Sequence, residues 1–216
     1  MRILKGKHAG RWLTSPARNV RPTPEEVRDR CLSMVEEELR GGRVLDLFAG
    51  TGALGLEALS RGAESVDFLE SGRAALHALK ANVAALRATK QCRIFKRDAV
   101  QWVQGLAAGT YRVAFVDPPY GSRKLDLVVE RWRQVPFADV LVIEHDKEQT
   151  VAARGKRYDF AGPTRVTVLR ARSRTRPTGS HLSDEGPRGS PGALACHPSQ
   201  PQNARLTRTK RFRPGR

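Results

Sequence analysis

The stretch Val44-Leu45-Asp46-Leu47-Phe48-Ala49-Gly50-Thr51-Gly52-Ala53-Leu54-Gly55 passes from an aliphatic segment through a glycine turn into the helix-forming run Leu56-Glu57-Ala58-Leu59. A strand, a glycine-rich turn and a helix in that order make a nucleotide-type fingerprint. The glycines allow a tight turn and close approach of backbone to ligand, and an acid after the next strand can hold a ribose. Glu70, 20 residues beyond Gly50, stands where that acid belongs. Asp46 narrows the ligand, because a carboxylate late in the first strand repels a pyrophosphate and attracts a cation. A nicotinamide dinucleotide therefore fits poorly. The sulfonium and α-amino group of S-adenosylmethionine fit well. A purely structural alternative, in which Asp46 ties down loop amides, stays open.

Outward from this stretch, apolar segments alternate with amphipathic ones, as in an α/β domain on a mostly parallel sheet. Strands are expected at 44–48, 66–70, 92–96, 113–117 and 140–144, with helices at 53–60, 73–86, 99–106 and 124–134. Two last strands, 157–160 and 164–171, are separated only by a turn containing Gly162-Pro163, too short for a crossover helix, so they should pair as an antiparallel hairpin at one edge. Upstream, Thr23-Pro24-Glu25-Glu26 has the form of a capping box with proline at the first helical position. The helix that follows spaces Val27, Cys31, Val35 and Leu39 by four, which gives one apolar face.

Four acids, Asp46, Glu70, Asp98 and Asp117, fall at or just past the carboxyl ends of consecutive strands, the edge where open α/β sheets bind ligands. A row of carboxylates suits a cationic, hydroxyl-rich, amine-bearing cofactor. Glu70 can accept from ribose hydroxyls and Asp98, before Ala99, from an adenine amine. The backbone of Ala49, Gly50, Thr51 and Gly52 completes the expected cofactor contacts.

Asp117-Pro118-Pro119-Tyr120 closes the fourth strand. Two prolines fix the backbone and remove two N–H donors, leaving an acceptor-only corner. The exocyclic amine of a nucleobase answers it: Asp117 and the Pro118 carbonyl can take its two N–H groups while Tyr120 stacks on the ring. Held in that way, the nitrogen lone pair is turned toward the methyl group of the donor. A rigid turn after a strand is the structural alternative.

The chain of 216 residues has 39 Lys+Arg against 22 Asp+Glu, a net charge of +17, which asks for a polyanionic partner. Residues 1–22 carry Arg2, Lys5, Lys7, Arg11, Arg18 and Arg21 with no acid, a candidate phosphate-contacting arm to which Arg28 adds a further cation. If it neutralises ~5 phosphates, single-strand affinity should fall with a log–log salt slope of about −3.5. The methyltransferase domain is expected over 23–172. From 173 to 216, proline, glycine and scattered basic residues replace apolar periodicity, and disorder is expected. Three cysteines far apart, and no apolar run of ~18 residues, argue against a disulfide scaffold or a membrane span. A cytoplasmic monomer without a metal is expected.

In combination, residues 44–59, Phe115-Val-Asp-Pro-Pro-Tyr120, the opening Met1-Arg-Ile-Leu-Lys-Gly6 and Arg21-Pro-Thr23 resemble the bacterial RsmD family of 16S ribosomal RNA guanine-N2 methyltransferases. The resemblance spans roughly residues 1–171. It implies a class I methyltransferase fold, Rossmann-like, with a seven-stranded mostly parallel sheet, and S-adenosylmethionine as donor. The acceptor it implies is the N2 amine of one guanine in small-subunit RNA. The sequence offers no third domain to read a long RNA sequence, so a partly assembled ribosomal particle is the expected context of recognition. Asp117 to Tyr120 then take the catalytic role, and Asp46, Gly50, Gly52, Glu70 and Asp98 the cofactor role. Glu144-His145-Asp146 matches the family pattern without an assigned chemistry. An adenine-N6 or protein-amide methyltransferase of the same fold, and a non-enzymatic RNA-binding or ribosome-assembly module, are the competing readings.

Overall fold

Successive side chains of a strand point to opposite faces of the sheet, and in the inner strands described below both rows are buried. The computed structural model describes residues 1–15 and 24–172. Helix α1 (Glu25–Ser33) and the short α2 (Glu36–Leu39) lead into β1 (Arg43–Leu47), α3 (Ala53–Ser60), β2 (Ser65–Leu69), α4 (Arg73–Ala85) and β3 (Cys92–Phe95). Then come α5 (Ala99–Gln104), β4 (Tyr111–Val116), α6 (Lys124–Gln134), β5 (Ala138–Asp146), β6 (Lys156–Asp159) and β7 (Thr164–Arg170). The sheet has seven strands in the order β3-β2-β1-β4-β5-β7-β6. The first five run parallel, and β7 is antiparallel to both β5 and β6. The expected hairpin is present, with its second strand next to β5.

One row, including Val44, Phe68, Phe115 and Val142, packs against Leu32 of α1, Leu56 of α3 and Leu79 of α4. The other, including Leu45, Leu69, Val116 and Ile143, packs against Val103 of α5 and Val128 of α6. Alternation has period two, so Asp46 shares the face of Val44, and continuing the rows brings Glu70, Asp117 and Glu144 to that same face. Among the described residues no helix is long and apolar enough to cross a membrane.

Residues 1–15 form a ribbon closed by the antiparallel Arg2–Trp12 bridge and by Ile3 N–H to Arg11 C=O at 2.9 Å. Its anchor is Glu57 of α3. The Leu4 and Lys5 amides donate to that carboxylate at 2.8 and 2.9 Å, and Arg61 donates to it at 2.9 Å. A second tie is Asn82 of α4, which accepts from the Thr14 amide at 2.7 Å and donates to the Thr14 and Thr51 carbonyls at 3.0 and 2.9 Å.

Three expectations need correction. Arg28 is not free to meet phosphate: it is fully buried, lies 3.7 Å from Glu57 and donates to the Arg2 carbonyl at 2.6 Å. It shares a helix face with Cys31 and Leu32, so it enters the core with them and is neutralised there. Pro24 flanks α1, with ψ 145°, rather than forming its first turn, and no side-chain cap bond is made. The long helix breaks into α1 and α2, though Val27, Cys31, Val35 and Leu39 are all buried. The Thr23 cap, Arg18, Arg21 and the 173–216 tail lie outside the described residues.

Candidate active site

The glycine turn has a backbone that only part of its sequence adopts easily. Gly50 and Gly52 take φ 55° and 81°, in the left-handed region. At Gly50 an added Cβ meets nothing within 4 Å, so the space beside it is open to a ligand. At Gly52 it falls 2.4 Å from Leu79, and at Gly55 2.4 Å from Phe68, so these two let α3 settle onto α4 and β2. Phe48 also takes a positive φ, 64°, which for a bulky residue costs about 1–3 kcal/mol.

Acids of the sheet edge hold this turn in place. Asp46 is buried and accepts from the Gly55 amide at 2.9 Å. Burial pushes its carboxyl up to about 7, and the charge of Glu70 adds to the effect while the Gly55 bond opposes it. Glu70 accepts from the Gly50 and Gly72 amides at 2.7 and 2.5 Å. Asp98 caps α5 by accepting from the Gln101 amide at 3.1 Å and pairs with Lys124 at 3.4 Å, and these donors hold its carboxyl below the usual carboxylate range. The Tyr120 hydroxyl lies 3.2 Å from that of Thr164, and partial burial pushes its phenol up.

These residues surround one cavity of about 710 Å³, within the usual range for small-molecule sites. Asp46, Ala49, Gly50 and Thr51 line it, as do Glu70, Asp98 and Ala99. At its other end stand Asp117, Pro118, Pro119 and Tyr120. Gly52 does not line it and acts in packing. Sequence reasoning missed Phe48, Lys124, Thr164 and the placement of Glu144 beside Asp117, all of which reach the cavity. Lys124 lies 5.7 Å over the Phe48 ring, a pairing between elements 76 residues apart that no local pattern announces. Of the expected RNA contacts, Arg2, Lys5, Lys7 and Arg11 are exposed. Arg2 and Lys5 pair with Glu25 and Asp29, and Arg11 donates to the Ala85 carbonyl.

A glycine turn over an acid-lined cavity at the carboxyl edge of this sheet defines a class I methyltransferase fold. The model of a family described as "Conserved hypothetical protein 95" matches residues 1–160, and the chain belongs to that family, of the RsmD type. A Bacillus subtilis protein named "Putative rRNA methyltransferase YlbH" is 35% identical over 154 residues, 68% of this chain and 84% of that protein. The Escherichia coli K12 protein named "Ribosomal RNA small subunit methyltransferase D" is 37% identical over 122 residues, 56% of this chain and 60% of that protein. The solved structure of "Putative methyltransferase yhhF from Escherichia coli" superposes with a TM-score of 0.68 at 30% identity, covering 78% of this chain and 96% of the other.

Proposed function

We infer that the protein transfers a methyl group from S-adenosylmethionine to the N2 amine of a guanine in small-subunit ribosomal RNA. The observation that carries this reading is one cavity joining the glycine turn to the Asp117-Pro118-Pro119-Tyr120 corner. Its donor set fits the cofactor: a buried carboxyl with a raised pKa at Asp46 gains from a cation, Glu70 has lone pairs left for ribose hydroxyls, and Gly50 leaves room for close approach. When bound, S-adenosylmethionine supplies an electrophilic methyl carbon on a sulfonium.

The protein's own residues do the positioning. Asp117 and the Pro118 carbonyl accept the two hydrogens of the amine, which withdraws its lone pair from the ring and fixes its direction. As positive charge develops on nitrogen, Asp117 stabilises it and can take the departing proton. Tyr120, 41% exposed, offers a face for stacking at the cavity mouth, with its hydroxyl held against Thr164. Lys7 and Arg11, with the other exposed cations of the N-terminal ribbon, supply sequence-independent phosphate contacts, so residues 1–22 act as an RNA-contacting arm on a domain spanning 23–172. The ribosomal relatives' names and the net charge of +17 support RNA as the polyanion. Recognition of a partly assembled particle would explain how so small a domain finds one nucleotide.

Labelled methyl transfer onto small-subunit RNA, naked and protein-loaded, followed by nucleoside analysis, tests the reading. N2-methylguanosine is expected. Label in N6-methyladenosine or in protein would refute it, as would tight RNA binding without any calorimetric heat from S-adenosylmethionine.

A further inference from the structure

Glu144 enters the cavity beside the catalytic corner, and the transfer described above leaves it unused. β4 and β5 run parallel with Val116 opposite Ile143, so the next residues, Asp117 and Glu144, follow as neighbours at the carboxyl edge on strands about 4.8 Å apart. Glu144 is 7% exposed and lines the cavity together with Asp117, Tyr120 and Thr164. Burial raises the Tyr120 phenol and the Cys31 thiol, and the charges of Glu144 and Asp117 add to both shifts. His145 turns to the opposite face, where its ring nitrogens meet the Thr167 hydroxyl and the Asp146 carbonyl, each at 2.8 Å, and this fixes the backbone that presents Glu144.

Two adjacent carboxylates lining a cavity end have lone pairs enough to accept from two adjacent donors on a ligand. The Watson–Crick edge of guanine offers them, with the N1–H imino group beside the N2 amine. Adenine offers an amine beside a lone pair at N1. The geometry points to Glu144 as the residue that selects guanine, its carboxylate accepting N1–H while Asp117 accepts from the amine. This assignment rests on the guanine-N2 reading above. A base with a lone pair at N1 meets the Glu144 carboxylate with repulsion and leaves it without that donor.

The test uses 2-aminopurine, which keeps the N2 amine but replaces N1–H by a lone pair. The full chain first methylates small-subunit RNA, and N2-methylguanosine is mapped. That guanine is then replaced by 2-aminopurine through ligation of a synthetic segment, and kcat/KM is measured on both RNAs for the wild type and for Glu144→Gln. The wild type should prefer guanine by about 10²-fold, and Glu144→Gln should lower that preference by at least about tenfold, because the amide can donate to N1. Loss of O6 in 2-aminopurine affects both proteins alike. Each preference is a ratio from one preparation, so the folded fraction cancels. Should Glu144→Gln be inactive, 2-aminopurine fluorescence with guanine RNA as competitor gives a preference in binding, which is compared with the wild type's preference measured in the same way. N2-methylguanosine from the wild type with an unchanged preference in Glu144→Gln overturns the role of Glu144 alone. No N2-methylguanosine from the wild type overturns the guanine-N2 reading and this assignment with it.

Discussion

Two buried carboxyl groups, Asp46 on β1 ahead of α3 and Glu57 within α3, differ in how they are compensated. Glu57 accepts from the amides of Leu4 and Lys5 and from the guanidinium of Arg61 at 2.9 Å, and the charge of Arg28 lies 3.7 Å away. Asp46 accepts one backbone N–H, lines the cavity and is pushed up to about 7 by burial. A buried carboxylate compensated on all sides by its own chain is structural. One that burial leaves easily protonated beside a cavity is poised for a ligand that brings the missing positive charge.

The sharpest way to break this contrast is Glu57→Ala. It removes the acceptor shared by two amides and Arg61 and the anion paired with buried Arg28, and should destabilise the protein by about 3–5 kcal/mol, seen as a large fall in melting temperature. An unchanged melting temperature would remove the structural half of the comparison. Next in size is Asp117→Ala, expected to lower kcat by about 10²-fold while cofactor affinity by calorimetry stays within about twofold.

Asp46 sharpens the other half. Its folded pKa is raised, so the fold favours the protonated form, and its contribution to stability is lost as pH rises from the ordinary aspartate range through about 7. A cationic cofactor favours the ionised form and releases a proton on binding. Affinity for S-adenosylmethionine should therefore rise about tenfold between pH 6 and pH 8. Calorimetry in buffers of different ionisation enthalpy should detect the released proton below pH 7, and Asp46→Asn should flatten the profile. The smallest effect is expected at the exposed arm, where Lys7→Ala should reduce the log–log salt slope of RNA binding by about 0.7 with little change in stability.

Much of the fold is legible in the sequence because strand and helix periods differ so clearly. The expected ranges of α3 and α6 coincide with Ala53–Ser60 and Lys124–Gln134. β5 runs two residues further at each end than its apolar run, because pairing with β4 begins at Ala138 opposite Tyr111 and pairing with β7 continues to Asp146 opposite Thr164. Arg28 was misread because a charge is ordinarily a sign of exposure. Its position three and four residues before Cys31 and Leu32 was the available signal, but the neutralising partner Glu57 lies 29 residues away. Gly52 was assigned to the cofactor because a fingerprint does not say which glycine faces the ligand and which admits a neighbouring side chain. Glu144 and Thr164 reach the cavity only through strand order and register, which a single chain does not spell out locally.

The ribbon at the N-terminus has a consequence for biosynthesis. Lys5 finds Glu57 after 52 intervening steps of chain, and Arg11 finds Ala85 after 74. Residues 1–15 are thus seated late, since their docking surface is translated long after them. During synthesis the ribbon waits for helices still to be made.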